Sequence, residues 1–98
     1  MFKLDKKDFN ETTINKIKTY LKDTLRFTET NNNEYTSYSI DIPEVDITIR
    51  IPNIIHYNRD IDRANISFQL ESLARAYSRD SEDLFNEIMN IVNKREVI

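Results

Sequence analysis

A chain of 98 residues, 39% of them hydrophobic and 32% charged, fits one compact domain and leaves no room for a second. With no cysteine, no glycine and a single histidine, it has no disulfide frame, no thiol nucleophile and no Cys-ligated zinc. It also lacks the glycine-dependent phosphate loops, dinucleotide fingerprints and nucleophile elbows. A net charge of −3 argues against general nucleic-acid binding, which relies on a basic face.

Eleven asparagines stand where glycines would normally serve. Asparagine tolerates left-handed backbone better than other residues with a Cβ, so Asn31 to Asn33, Asn53 and Asn58 are expected to form the turns. The stretch Met1-Phe2-Lys3-Leu4-Asp5-Lys6-Lys7-Asp8 has no apolar centre of the kind a signal peptide needs, and no run of apolar residues exceeds two. The expectation is a soluble protein acting in the cytoplasm of a bacterial host cell. Richness in Ile, Asn, Lys and Asp fits an AT-rich genome such as that of many Firmicutes and their phages.

The first element is a helix near residues 9 to 27, because Ile14, Ile17, Leu21 and Leu25 recur at helical spacing. Asp8 and Glu11, three apart, form a capping-box pattern before it. Lys16, Lys18, Lys22 and Arg26 lie along this helix and offer either a solvated face or a phosphate-contacting flank. Thr28 to Asn33 reads as loop.

From Tyr35 to Ile51 the period changes to two. Thr36, Tyr38, Ile40 and Ile42 alternate with polar residues, and so do Val45, Ile47, Ile49 and Ile51, predicting two antiparallel strands around Pro43-Glu44. Pro52 ends the second because it cannot donate to a ladder, and Ile54, Ile55 and Tyr57 offer a short third strand. Residues 61 to 78 fit both periods in part. The helical reading prevails because Ile66, Leu70, Leu73 and Tyr77 extend further than the alternation, and it leaves Phe68 on the polar face. Asp80 or Ser81 then caps a last helix, with Glu82 and Asp83 in its first turn and Lys94 and Arg95 in its last. Leu84, Ile88 and Ile91 make its buried stripe, widened by Phe85, Met89 and Val92. The predicted fold is α+β: an N-terminal helix, a two- or three-stranded antiparallel sheet, and two C-terminal helices packed on one sheet face.

Charge is distributed unevenly along this order. Residues 1–28 carry seven bases and four acids, whereas residues 29–49 carry five acids and no base. If Ile42 pairs with Val45, Asp41 lies directly opposite Asp46 on the outer face, an unfavourable pairing of like charges. Such charges can simply keep a sheet edge from aggregating. They can also serve a function, since a local rule broken without compensation often marks a site. On the functional reading, Glu34, Tyr35, Asp41, Glu44 and Asp46, with the exposed Phe68, bind a bacterial protein that presents a basic surface. Scattered strand carboxylates without a ligand loop do not make a metal site. The run His56-Tyr57-Asn58-Arg59-Asp60-Ile61-Asp62-Arg63 is rich in acid–base types, but neighbours along a loop need not converge in space. No catalytic residue and no cofactor is assigned.

The element order, the acidic hairpin from Glu34 to Asp46 and the acid-led segment Asp80-Ser81-Glu82-Asp83-Leu84-Phe85-Asn86-Glu87 resemble small phage-encoded anti-CRISPR proteins, in particular acidic inhibitors of Cas9. The resemblance lies in architecture and very little in motif. It implies a non-enzymatic inhibitor whose carboxylates take the place of DNA phosphates in the basic groove of a bacterial defence nuclease. The basic first helix departs from that pattern. Two other readings fit the same description: an immunity protein that neutralises a bacterial toxin, and a small nucleic-acid-associated regulator using Lys16, Lys18, Lys22 and Arg26.

Overall fold

The computed structural model describes residues 1–91. After a single 3-10 turn (Lys6–Asp8), α1 (Glu11–Thr19) continues into a π-helical segment (Tyr20–Thr24). Three antiparallel strands follow, β1 (Thr28–Asn31), β2 (Tyr35–Ile42) and β3 (Val45–Pro52), in the order β1-β2-β3. Two helices, α2 (Asp60–Ala76) and α3 (Ser81–Met89), close the described chain. The α+β architecture and its element order are those the sequence predicts.

Alternation fixes the central strand pair. Ile40 faces Ile47, Tyr38 faces Ile49 and Thr36 faces Ile51, so one face of the sheet is apolar and takes the helices. Leu21, Tyr38, Ile66, Leu73 and Ile88, from four different elements, meet in one continuous core. The outer face carries Thr28, Thr30, Ser37, Ser39, Thr48 and Arg50, none of them buried. The polar half of each strand is therefore left to water.

Several details differ from the sequence reading. The third strand precedes the hairpin: residues 28–31 pair with β2, and Ile54, Ile55 and Tyr57 lie in the loop before α2. Alternation could not reveal β1, which has no apolar residue. Its core-side positions are held by Asn31 and Glu29; the Glu29 carboxylate accepts a 2.7 Å hydrogen bond from Tyr38 and lies 3.4 Å from Lys22 Nζ. That bond, with Lys22 beside it, holds the Glu29 carboxyl below its ordinary range. The cap of α1 is Asn10, which accepts from Thr13 N–H at 3.0 Å, while Asp8 sits in the preceding turn. Asparagine also turns the chain in another way than expected. Among the described residues the positive φ values belong to Arg26 (62°) and Ser78 (54°). The β1–β2 turn is closed by the Asn32 side chain, which accepts from Glu34 N–H at 2.8 Å and Tyr35 N–H at 2.9 Å. Val92, Lys94 and Arg95 of the expected last helix lie outside the described residues, and α3 ends at Met89.

Ser78 closes α2 with the bonds of a Schellman motif: Arg79 N–H reaches Ala74 O at 2.8 Å and Ser78 N–H reaches Arg75 O at 3.1 Å. A serine there carries the Cβ penalty of left-handed backbone, about 1 kcal/mol, that glycine avoids. Arg79 then enters a three-residue knot. The Tyr20 hydroxyl donates to Glu87 at 2.6 Å, and Arg79 bonds both Tyr20 (3.3 Å) and Glu87 (2.9 Å). The knot ties the end of the first helical segment to α3. Burial, reinforced by the Glu87 carboxylate, lifts the Tyr20 phenol from 10.0 to about 12.

Two outcomes follow from these features. Ser78→Gly should raise the urea midpoint, by about 0.5 kcal/mol in stability, whereas Ser78→Ala should not. The folded chain holds the Tyr20 proton more tightly than the unfolded chain, so its contribution is complete below pH 10 and declines as pH rises towards 12. Alkaline titrations followed by circular dichroism should therefore be less steep for Tyr20→Phe over that interval than for the parent chain.

Candidate functional site: the acidic hairpin tip

The turn joining β2 to β3 has two residues, Pro43 and Glu44, and Ile42 pairs with Val45 across it. Two-residue hairpins ordinarily use left-handed backbone. Proline fixes Pro43 at negative φ, and Glu44 is not among the residues with positive φ. The turn is thus built without that conformation.

The register brings Asp41 directly opposite Asp46. Arg50 N–H points away from β2 towards Gln69 Oε1, at 3.4 Å. By the period of two, Asp46 N–H also points away from β2, which makes Asp41–Asp46 a non-hydrogen-bonded pair, the kind in which facing side chains come closest. Both aspartates and Glu44 are exposed. None of the salt bridges among the described residues reaches them. Arg50 pairs with Ser37 and holds its guanidinium over the Tyr35 ring, 5.1 Å from the centroid. That position is four residues from Asp46, about 13 Å along the strand. The charge at the tip is therefore uncompensated within the described chain.

The six residues proposed from sequence do not form one surface. Asp41, Glu44 and Asp46 share the tip. Tyr35 pairs with Pro52 at the far end of β2, six residues or about 20 Å from Asp41, and Glu34 lies beside it in the β1–β2 turn. Phe68, 62% exposed, stands on the outward face of α2. An eight-residue strand has two ends, and one contact with a hairpin tip cannot include both. One residue the sequence reading left out of the site belongs to the tip. Ile42 is the last of the inward row of β2, paired with Val45 beside the turn, and is 41% exposed. Its place next to the turn was the available signal.

The other candidate groups are engaged elsewhere or scattered. Lys16 Nζ caps the end of α3 at Met89 O, 2.9 Å away, and Lys22 pairs with Glu29, which removes half of the proposed basic flank. His56 is exposed; its backbone N–H rests on Asp62 at 2.9 Å, and Asp60 pairs with the buried Arg63 at 3.2 Å. The acid–base run is thus the anchored entrance to α2. Among the described residues no group of three or more His, Asp or Glu side chains gathers to hold a metal ion. No described helix is long and apolar enough to cross a membrane.

No protein-family model matches this sequence, and no curated protein or solved structure matches it.

Replacing both Asp41 and Asp46 with Asn removes two like charges and keeps their size. Chemical denaturation at low salt should show the double variant equal to the parent or stabler by about 0.5 kcal/mol, with the gain shrinking as salt is added.

Proposed function

We propose that this chain is a non-enzymatic protein-binding inhibitor, encoded by a phage or mobile element, that inserts its acidic hairpin tip into the basic nucleic-acid-binding site of a bacterial defence nuclease. The observation carrying this reading is the uncompensated opposition of Asp41 and Asp46 at an exposed tip. A protein stabilised by its own contacts alone gains nothing from two facing carboxylates. A basic partner relieves their repulsion and takes up charge-assisted hydrogen bonds from arginine or lysine.

The tip is suited to a groove. It is two strands wide and carries Asp41 and Asp46 on one face, Ile42 on the other and Pro43-Glu44 at its end, so carboxylates supply steering and orientation while Ile42 and Pro43 supply contact area. The resemblance in element order to acidic anti-CRISPR proteins supports the class of partner. Occlusion needs no bond making and asks nothing of His56, whose backbone N–H donates to Asp62 at 2.9 Å.

The test is capture from a bacterial lysate by the immobilised chain and, in parallel, by Asp41→Asn/Asp46→Asn. The reading expects a nucleic-acid-binding protein retained by the first column and at least tenfold depleted on the second, and expects the purified partner to lose nucleic-acid binding when the parent chain is added. Equal retention on both columns would refute the role of the tip. Ile42→Ala should weaken capture without unfolding the chain, and His56→Ala should leave both capture and inhibition intact.

A further inference from the structure

The sheet has two edges, β1 and β3, because β2 lies between them. β1 has four residues and a base beside it, Lys22 at 3.4 Å from Glu29. β3 has eight, and its outer margin differs along its length. Arg50 N–H points away from β2 and donates to Gln69 Oε1 of α2 at 3.4 Å. By the period of two, Asp46 and Thr48 point their N–H and C=O groups the same way. No acceptor among the described residues takes either amide. Pro52, at the far end of that row, has no N–H to offer. Gln69 and Pro52 thus close one half of the edge, and the half next to the hairpin tip is open. Three side chains border it: Asp46 and Thr48, exposed on the polar face, and Ile47, half-buried on the apolar face.

We infer that an extended segment of the basic partner adds to the sheet at this open half, pairing its backbone with Asp46 and Thr48. The inference rests on the inhibitory reading of the tip and names the contact the partner makes there. Unpaired edge groups are a template for a further strand, and strand addition draws affinity from backbone bonds and selectivity from alternating side chains. The side chains here set the pattern. The residue across from Asp46 lies about 5 Å away on the polar face, where lysine or arginine is the complement. It stands two strand spacings, about 10 Å, from Asp41, so the aspartate pair and the added base form one row across the outer face. The adjoining residue falls against Ile47 and is apolar, and the one opposite Thr48 is polar. Gln69 ends the pairing there, since its side chain occupies the next amide. A second copy of β3 fits less well. Twofold pairing about Thr48 would set Asp46 against Arg50, but it needs the two Arg50 amides that Gln69 holds.

Nuclear magnetic resonance of the full chain with a hexapeptide of alternating lysine and valine tests the inference, with hexalysine as the charge-only control. The alternating peptide should slow solvent exchange of the Asp46 and Thr48 amides at least tenfold and leave unchanged those of Ile47 and Ile49, which pair with β2. Hexalysine should shift resonances at the tip without that protection. Thr48→Pro removes an edge amide that no contact within the fold uses and changes no charge. It should weaken the alternating peptide at least tenfold while keeping the parent's circular dichroism. Gln69→Ala opens the Arg50 amide and should tighten the peptide severalfold, which keeps the test decisive if Thr48→Pro does not fold. Three results would overturn the inference: exchange rates unchanged by the alternating peptide, equal protection by hexalysine, or Asp46 and Thr48 amides already protected in the chain alone, as a second copy on this edge would cause. The inhibitory reading would survive any of them as long as Asp41→Asn/Asp46→Asn loses partner capture.

Discussion

The register of β2 against β3 is the constraint on which the rest of the molecule depends. Ile40 against Ile47, Tyr38 against Ile49 and Thr36 against Ile51 place every inward side chain of the pair on one face, and a slip of one residue would turn all of them to water. The helices then have one surface to cover, and the sheet keeps one open polar face. The same register sets Asp41 against Asp46. The unfavourable pair is thus imposed by the core, since separating the aspartates would cost several buried isoleucines for a repulsion of a few tenths of a kcal/mol.

Two tyrosines carry that core to the periphery. Tyr38 lies fully within the sheet's inner layer, and its hydroxyl satisfies Glu29 on the edge strand. Burial and that carboxylate push its phenol well above the usual tyrosine value. Tyr20 does the same for α3 through Glu87 and Arg79. In both places an exposed carboxylate accepts from the hydroxyl of a buried tyrosine and lies beside a base, Lys22 or Arg79. The exposed carboxylates at the tip have no such partner among the described residues. The contrast separates acids that hold the fold together from acids available to something else.

How much could be read from the sequence follows from the range of each interaction. The alternation of residues 35–51 and the stripe from Ile66 to Tyr77 are local, so the hairpin, its register and α2 with its exposed Phe68 were legible. The edge strand was not, because Thr28-Glu29-Thr30-Asn31 contains no apolar residue and its inward Glu29 depends on a tyrosine nine positions away. The Tyr20–Glu87 bond spans 67 residues and leaves no local trace. The backbone positions usually given to glycine fell to Arg26 and Ser78, whereas the asparagines acted through their side chains. In the candidate site the charge pattern was legible but the grouping was not. Sequence distance joined Glu34 and Tyr35 to Asp41, and the length of β2 holds them apart.

The account's central claim is that the charge at the tip is held for a basic partner, and charge leaves a kinetic signature. Carboxylates that steer an encounter raise the association rate most at low ionic strength. The most direct measurement is the association rate constant of the captured partner with the parent chain and with Asp41→Asn/Asp46→Asn, between about 20 mM and 500 mM salt. The account predicts a steep fall with salt for the parent and a lower, much flatter profile for the variant, the two converging at high salt. Identical rates and identical salt slopes for the two chains would contradict it.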